Sequence, residues 1–80
     1  MISVKVMYFG ALKERRGMDA ETVSTQAKTP AALYAELLEQ HDLKLGSEHV
    51  RFAINDTFVA ADAALADGVT LAVMPPVAGG

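Results

Sequence analysis

The sequence predicts a single small α+β domain, in which a mixed sheet of about four to five strands packs on one main helix. The chain has 80 residues and 51% of them are hydrophobic, which suffices for one core and leaves no room for a second domain. Short segments that alternate apolar and polar residues flank a single segment with helical periodicity. A helix with one apolar face must bury that face, and a sheet of short strands provides the surface.

The N-terminal third of the chain predicts two strands separated by a helical turn. In residues 2–8 the apolar residues, most of them β-branched, recur at every second position, which is typical of a half-buried strand. A short polar helical turn is predicted at 11–16, with Gly17 as its left-handed cap. Residues 21–25 contain one strongly apolar residue, Val23, as expected for a strand at a sheet edge.

The main helix is predicted from Thr29 to about Gln40. A threonine at the N-cap can accept a free backbone N–H, and Pro30 at the first helical position loses no hydrogen bond. One face then carries an apolar stripe with helical spacing. Its members are Leu33, Tyr34, Leu37, Leu38 and, at the margin, His41.

Three further strands are predicted in the C-terminal half. Residues 50–54 and 57–59 flank Asn55 and Asp56, which have the chemistry of a tight hairpin turn. After an alanine-rich segment with Leu65 as its apolar contact, residues 69–74 alternate as the last strand, and two prolines end it.

This order of elements indicates a β-grasp arrangement rather than a ferredoxin-like one, which needs a second full helix. We therefore predict a β-grasp domain over residues 1–74 and an extended, flexible tail over residues 75–80.

Composition excludes several functional classes. The formal net charge is −3, so nucleic-acid binding is not expected. The absence of cysteine excludes disulfides, thiolate metal sites and a thiol nucleophile. His41 is interpreted as a capping side chain or dipole partner at the helix end, and His49 has no second histidine or carboxylate at metal-ligand spacing, so no metal is expected. No apolar run approaches the ~20 residues that span a bilayer, and no secretory signal is recognisable. We therefore expect a cytoplasmic protein without a membrane partner.

Side chains that could catalyse a reaction are not grouped in this sequence. The carboxylates are scattered and no phosphate-binding glycine loop follows the first strand. We therefore expect no catalysis by the chain alone and no bound cofactor. The basic residues Lys13, Arg15 and Arg16 are interpreted as a solvated face of the helical turn, with docking to an acidic partner as the alternative.

The remaining chemical feature is the C-terminus. Proline makes the root of the tail stiff and the terminal glycines make its tip thin; the tail comprises Pro75, Pro76, Val77, Ala78, Gly79 and Gly80. A terminal carboxylate that enters a narrow site can attack the α-phosphate of ATP, which releases pyrophosphate and leaves an acyl-adenylate. A sulfur nucleophile would then convert the adenylate to a thiocarboxylate. Having no cysteine, the chain could carry sulfur only in this way.

With these features the sequence resembles the small subunit of molybdopterin synthase (the MoaD family), a ubiquitin-like sulfur carrier. The resemblance covers nearly the whole chain and includes residues 8–14, 53–59 and 65–68. Its most specific part is Pro-Pro-Val-x-Gly-Gly at 75–80. The chain departs from the family at Ala78, where serine or threonine is frequent, and at Val69 and Thr70, where an acidic pair is frequent.

The resemblance implies a reaction cycle and a set of partners. An E1-like enzyme would adenylate Gly80 at the expense of ATP, and a sulfur donor system would convert it to a thiocarboxylate. The tail would then enter the large, catalytic subunit of molybdopterin synthase in a heterotetramer and donate sulfur to cyclic pyranopterin monophosphate, forming molybdopterin. The chain would be the sulfur-donating subunit of this sulfurtransferase.

A docking surface is predicted near the root of the tail. Since Ile2, Val4 and Val6 should face the helix, Met7 and Met74 should lie on the opposite face of the sheet, and Phe9 should border them. Exposed apolar groups that cluster in this way are typical of binding surfaces, and methionine adapts to more than one partner.

Three alternatives stay open from the sequence. A thiamine-pathway sulfur carrier shares the fold and the terminal Gly-Gly. A second possibility is a ubiquitin-like carrier that serves tRNA thiolation or conjugates to proteins. The third is a β-grasp interaction module without tail chemistry.

Overall fold

The computed structural model describes residues 1–76 and contains five strands and two α-helices. A 3₁₀ turn at Ser47–His49 precedes β3. The elements in chain order are β1 (Ile2–Tyr8), α1 (Gly10–Arg16), β2 (Ala20–Thr25), α2 (Pro30–His41), β3 (Arg51–Ile54), β4 (Thr57–Val59) and β5 (Thr70–Met74). The strands and helices lie where the sequence predicts them, with bounds that differ by no more than one residue. The part of the predicted tail at 77–80 lies outside the described residues.

The five strands form one mixed sheet in the order β2-β1-β5-β3-β4. β1 and β5 run parallel at its centre, and every other neighbouring pair is antiparallel. β2 lies at an edge, as its single apolar residue predicts. With α2 covering one face, this arrangement is a ubiquitin-like β-grasp fold, so the predicted fold class is confirmed.

Local signals explain where the two helices begin and end. The Thr29 hydroxyl accepts a hydrogen bond from the backbone N–H of Ala32 at 3.2 Å, and Pro30 occupies the first turn of α2. Gly17 ends α1 in the left-handed conformation with φ of 78°. Asn55 and Asp56 both have positive φ (49° and 72°), as a tight hairpin turn between β3 and β4 requires.

The core lies between α2 and one face of the sheet, which we call the inner face. Leu33, Tyr34 and Leu37 of α2 are buried, and the Tyr34 ring meets the Phe52 ring edge-on with 6.1 Å between centroids. The buried hydrophobic strand residues of this face are Val4, Val6, Tyr8, Phe52, Leu71 and Val73. The opposite, outer face of the sheet is not covered by either helix within residues 1–76. No helix in that range is long and apolar enough to cross a membrane.

Candidate functional site

The root of the tail leaves the centre of the sheet and rests on α1. β5 pairs with β1 on one side and β3 on the other, and Pro75 follows its last residue. Gly10, the first residue of α1, has φ of +55°, and a Cβ atom built on it would lie 3.0 Å from Cγ of Pro75. Pro75 is half-buried and Pro76 is exposed. The close approach of Pro75 to Gly10 therefore fixes where the tail leaves the domain.

Four of the predicted tail residues lie outside the described residues: Val77, Ala78, Gly79 and Gly80. The proposed reactive carboxylate and the threading residues next to it accordingly stay predictions. The structure describes the surface from which they extend.

The outer face carries a continuous apolar row across the sheet, adjacent to the tail root. The strand register aligns Met7 with Ala72, Ala72 with Ala53, and Ala53 with Phe58. Side chains of paired residues point to the same face. We call these four residues the apolar row.

Met74 and Phe9 extend this surface towards the tail. Met74 pairs with Arg51 in the next row, and Phe9 directly follows Tyr8, the partner of Val73. The Phe9 side chain is 42% exposed. The structure thus places Met7 and Met74 on the face opposite the helix, with Phe9 at its border, as the alternation predicts; their role in docking stays a prediction.

Phe58 belongs to the same surface and is not among the residues that the sequence predicts there. It is 67% exposed, and the guanidinium carbon of Arg51 lies 5.6 Å from its ring centroid. The hairpin turn at Asn55 and Asp56 provides the information from which the outward position of Phe58 can be predicted. A two-residue turn fixes the register, and since Val59 pairs with the inward Phe52, Phe58 must point outward.

A polar cluster on the inner face anchors α1 to β2. Arg16 forms two hydrogen bonds to the Glu21 carboxylate, from Nε and Nη2, each of 2.8 Å, and the Tyr8 hydroxyl donates to the same carboxylate. The side chains of Arg16 and Glu21 are both 18% exposed. Arg16 is therefore not part of a solvated basic face, and that part of the interpretation was wrong; the helical turn directs Arg16 against β2. Lys13 pairs with Asp19 at 3.1 Å in a solvent-exposed contact.

The environment of this cluster shifts the pKa values of its members. The hydrogen bonds from Arg16 lower the pKa of Glu21, against the opposing effect of burial. Burial, and secondly the hydrogen bond to Glu21, raises the pKa of the Tyr8 phenol. At neutral pH the cluster is thus an ionised, bidentate ion pair with a neutral tyrosine, which suits an anchor and provides no group ready to exchange protons.

A cavity of about 400 Å³ opens at the other end of the molecule from the tail root. Its lining includes Ile2, Thr25, Lys28 and Leu65. The Thr25 hydroxyl is engaged, since it donates to Glu36 at 2.8 Å and accepts from the Ala27 N–H at 2.9 Å. Within residues 1–76, no three His, Asp or Glu side chains are grouped as metal ligands.

Comparison with known proteins places the chain in a family. A family model described as the ThiS family matches residues 6–80. The chain belongs to the ThiS family. It is also 36% identical over 80 residues to the molybdopterin synthase sulfur carrier subunit of Escherichia coli (strain K12), covering 96% of this chain and 99% of that protein. The resemblance to the small subunit of molybdopterin synthase is thereby confirmed.

Solved structures of similar proteins support the membership of this ThiS-family chain. A putative molybdopterin converting factor, subunit 1, from Pyrococcus furiosus is 28% identical, with a TM-score of 0.79 over 96% of this chain and all of that one. A second similar chain comes from a protein–protein complex of subunits 1 and 2 of the molybdopterin-converting factor from Helicobacter pylori 26695. It is 29% identical, with a TM-score of 0.68 over 99% of this chain and all of that one.

Proposed function

We propose that this chain is a sulfur carrier and serves as the small subunit of molybdopterin synthase. The observation that carries the proposal is the terminus Pro-Pro-Val-Ala-Gly-Gly, which follows the central strand β5 beside an apolar surface that includes the exposed side chains of Phe9 and Phe58. Identity of 36% to a molybdopterin synthase sulfur carrier subunit over nearly the full length supports it.

The proposed chemistry takes place at Gly80. An E1-like enzyme binds ATP, and the Gly80 carboxylate attacks the α-phosphate, so that pyrophosphate leaves and a glycyl adenylate forms. A sulfur donor system supplies a sulfur nucleophile, which displaces AMP and leaves a thiocarboxylate. The chain itself holds no cofactor, and the ATP is consumed by the activating enzyme.

Sulfur delivery then requires that the tail enter a second protein. The thiocarboxylate sulfur forms a bond to cyclic pyranopterin monophosphate in the large subunit, and water then cleaves the bond between the sulfur and the Gly80 carbonyl carbon, which leaves the sulfur on the pterin and restores the glycine carboxylate. Pro75 and Pro76 stiffen the root of the tail, and the absence of side chains on Gly79 and Gly80 allows a narrow tunnel. The groups that act on the pterin belong to the large subunit, so the chain is the sulfur-donating partner.

The large subunit is proposed to dock on the outer face. Phe9, Met7 and Met74, together with Phe58, form an apolar surface next to the tail root, where a bound partner can receive the tail without bending it back. The Helicobacter pylori complex of subunits 1 and 2 supports a partner of this kind. Two carriers on a dimer of large subunits give the proposed heterotetramer.

Intact-mass analysis tests the proposed chemistry. After incubation with the activating enzyme, ATP and a sulfur source, the protein should gain the mass difference between sulfur and oxygen, and tandem fragmentation should place it on Gly80. A variant that lacks Gly80, treated in parallel, should gain no sulfur. Sulfur at another residue, or none under conditions that thiolate a known carrier, would show that the proposal is wrong.

The thiamine-pathway and tRNA-thiolation alternatives share the same terminal chemistry, so mass analysis does not separate them. Complementation of strains that lack one carrier separates these alternatives. The gene should restore molybdenum-cofactor synthesis in a strain that lacks its own carrier, and it should fail in strains that lack the thiamine or the tRNA-thiolation carrier.

A further inference from the structure

The charges on the outer face differ from those of the rest of the chain. The chain has ten aspartate and glutamate residues and a net charge of −3. The outward positions of the five strands, however, include two cations, Lys5 and Arg51, and no carboxylate. These outward positions are Ser3, Lys5, Met7, Ala20, Thr22, Ser24, Arg51, Ala53, Phe58, Thr70, Ala72 and Met74.

Glu21 lies between two outward positions of β2, but its side chain points to the inner face and binds Arg16. The other carboxylates next to the strands of this face lie in the connecting segments, and two of them are engaged. Asp19 pairs with Lys13, and Asp67 accepts a hydrogen bond from the Ser3 backbone N–H at 2.7 Å. Asp56 lies in the hairpin turn beyond β3. The sheet surface itself is therefore positive as well as apolar.

The two cations lie on opposite sides of the apolar row. Arg51 pairs with Met74 in the row on the tail side, and Lys5 pairs with Thr70 in the row on the other side. Both residues are exposed. A partner that covers the apolar row therefore contacts one cation on each side of the row.

Arg51 is oriented by its stack on Phe58. With 5.6 Å between the guanidinium carbon and the ring centroid, the guanidinium lies over the aromatic surface. Within residues 1–76 no carboxylate oxygen lies within 4 Å of it. Stacking leaves the N–H donors at the edge of the guanidinium available for a carboxylate. The geometry thus presents a preoriented, charged donor beside an apolar surface.

We propose that the outer face recognises a protein surface whose carboxylates flank an apolar seam, one opposite Arg51 and one opposite Lys5. This inference rests on the proposed function and specifies the chemistry of the docking site on the large subunit. A net charge of −3 would repel an acidic partner as a whole. The local pair of cations therefore directs the approach to this face, which brings the tail root to the partner in the correct orientation.

Association kinetics with the purified large subunit test this inference. The variants are Arg51→Gln, Lys5→Gln and the double variant, with Arg51→Lys as the charge-conserving control. Lys28→Gln is the matched control, because it removes the same charge from an exposed residue at the cavity end of the molecule. Thermal unfolding of each variant verifies that the fold is intact.

At low ionic strength each neutral variant should lower the association rate constant roughly three-fold, and the double variant about ten-fold. The dependence of this rate on salt should become flatter in the double variant. Arg51→Lys should retain most of the rate, and Lys28→Gln should stay close to the wild type.

Two results would overturn the inference and leave the proposed function standing. The first is an unchanged association rate constant in the double variant. The second is an equal decrease of the rate constant in Lys28→Gln, which would assign the effect to net charge. A wild-type protein that acquires no thiocarboxylate and does not bind the large subunit would instead overturn the proposed function, and this inference with it.

Discussion

Pro75 lies against Gly10, so close that a Cβ atom on Gly10 would come within 3.0 Å of the Pro75 Cγ atom. This contact joins the start of α1 to the root of the tail. Because Gly10 also has φ of +55°, the position favours glycine for its backbone as well as for space. The direction in which the tail leaves the domain thus depends on a residue 65 positions earlier in the chain.

Gly10→Val should therefore impair sulfur transfer as well as stability. The left-handed backbone alone should cost about 1–2 kcal/mol in the free energy of unfolding. The added side chain should also displace Pro75 and slow transfer to the large subunit. Urea unfolding and a single-turnover transfer assay with thiocarboxylated protein measure the two effects.

Gly17→Val provides the matched control for this experiment. Gly17 has φ of +78°, but outside Gly17 and its two chain neighbours no atom lies within 4 Å of the position that a Cβ atom would occupy there. The Gly17→Val variant should show a similar decrease in the free energy of unfolding and keep the wild-type transfer rate. Equal transfer rates in the two variants would show that the Gly10–Pro75 contact has no role in directing the tail.

Glu21→Gln should destabilise the protein at neutral pH by about 1–2 kcal/mol, since Arg16 loses a charged partner that is largely shielded from solvent. Arg16 holds the pKa of Glu21 below its ordinary value of 4.5. The stabilisation is therefore fully present above the pKa of the unfolded state and is lost as the pH falls through the lower pKa of the folded state. The wild type should lose stability in this acidic range more steeply than the variant.

Urea unfolding at a series of pH values measures this difference. Glu39→Gln is the control, because Glu39 is an exposed residue of α2, and it should change the free energy of unfolding by less than about 0.5 kcal/mol. If Glu21→Gln and the wild type showed parallel acid profiles, the Arg16–Glu21 pair would not be the source of the pH dependence.

The elements that the sequence predicts well are those with local signals. Thr29 and Pro30 locate the start of α2, and Asn55 with Asp56 locates the hairpin, because caps and turns depend on neighbouring residues alone. Met7 and Met74 follow from strand alternation. In each case the information lies within a few positions along the chain.

The contacts that the sequence does not predict are those that depend on how separate elements pack together. The sequence predicts a solvated position for Arg16, because its pairing with Glu21 depends on how α1 packs beside β2. The approach of Pro75 to Gly10 depends on the parallel pairing of β1 with β5. Neither contact is indicated by a periodicity or a motif in the sequence. The outward position of Phe58, by contrast, can be predicted from the register that the hairpin turn fixes.

Deletion of Gly80 should abolish sulfur transfer and leave the melting temperature unchanged within error. The buried hydrophobic residues that the structure describes lie between Val4 and Val73, so loss of the terminal glycine should not affect the core. Gly79→Val should act in the same way, because a β-branched side chain stiffens and widens the tip. Differential scanning calorimetry and reconstituted molybdopterin synthesis measure the two properties.

Ala78→Ser is the control for changes in the tail, since the resemblance implies that serine is accepted there, and it should retain activity. Molybdopterin formation by the protein without Gly80 would show that the terminal carboxylate is not the sulfur carrier. A marked fall in its melting temperature would show that the terminus contributes to the fold.

Phe9→Asp combined with Met74→Asp should weaken the complex with the large subunit by several kcal/mol, as truncation of central apolar anchors generally does. Phe9 is 42% exposed and Met74 lies on the outer face next to it, so both can meet a partner and neither belongs to the inner core. The fold should therefore persist, with little change in the melting temperature. Titration calorimetry against the purified large subunit measures the affinity.

The matched control for this double variant is Ala61→Asp combined with Ala64→Asp, which adds the same two charges at exposed positions. Both positions lie in the segment that contains Leu65, which lines the cavity. This control should bind with nearly wild-type affinity, because its charges lie away from the tail root. Unchanged affinity in the Phe9 and Met74 variant would mean that the large subunit docks elsewhere, whereas equal weakening in both variants would assign the loss to net charge. Loss confined to the Phe9 and Met74 variant is expected, because a large subunit that covers this apolar surface would desolvate both aspartates.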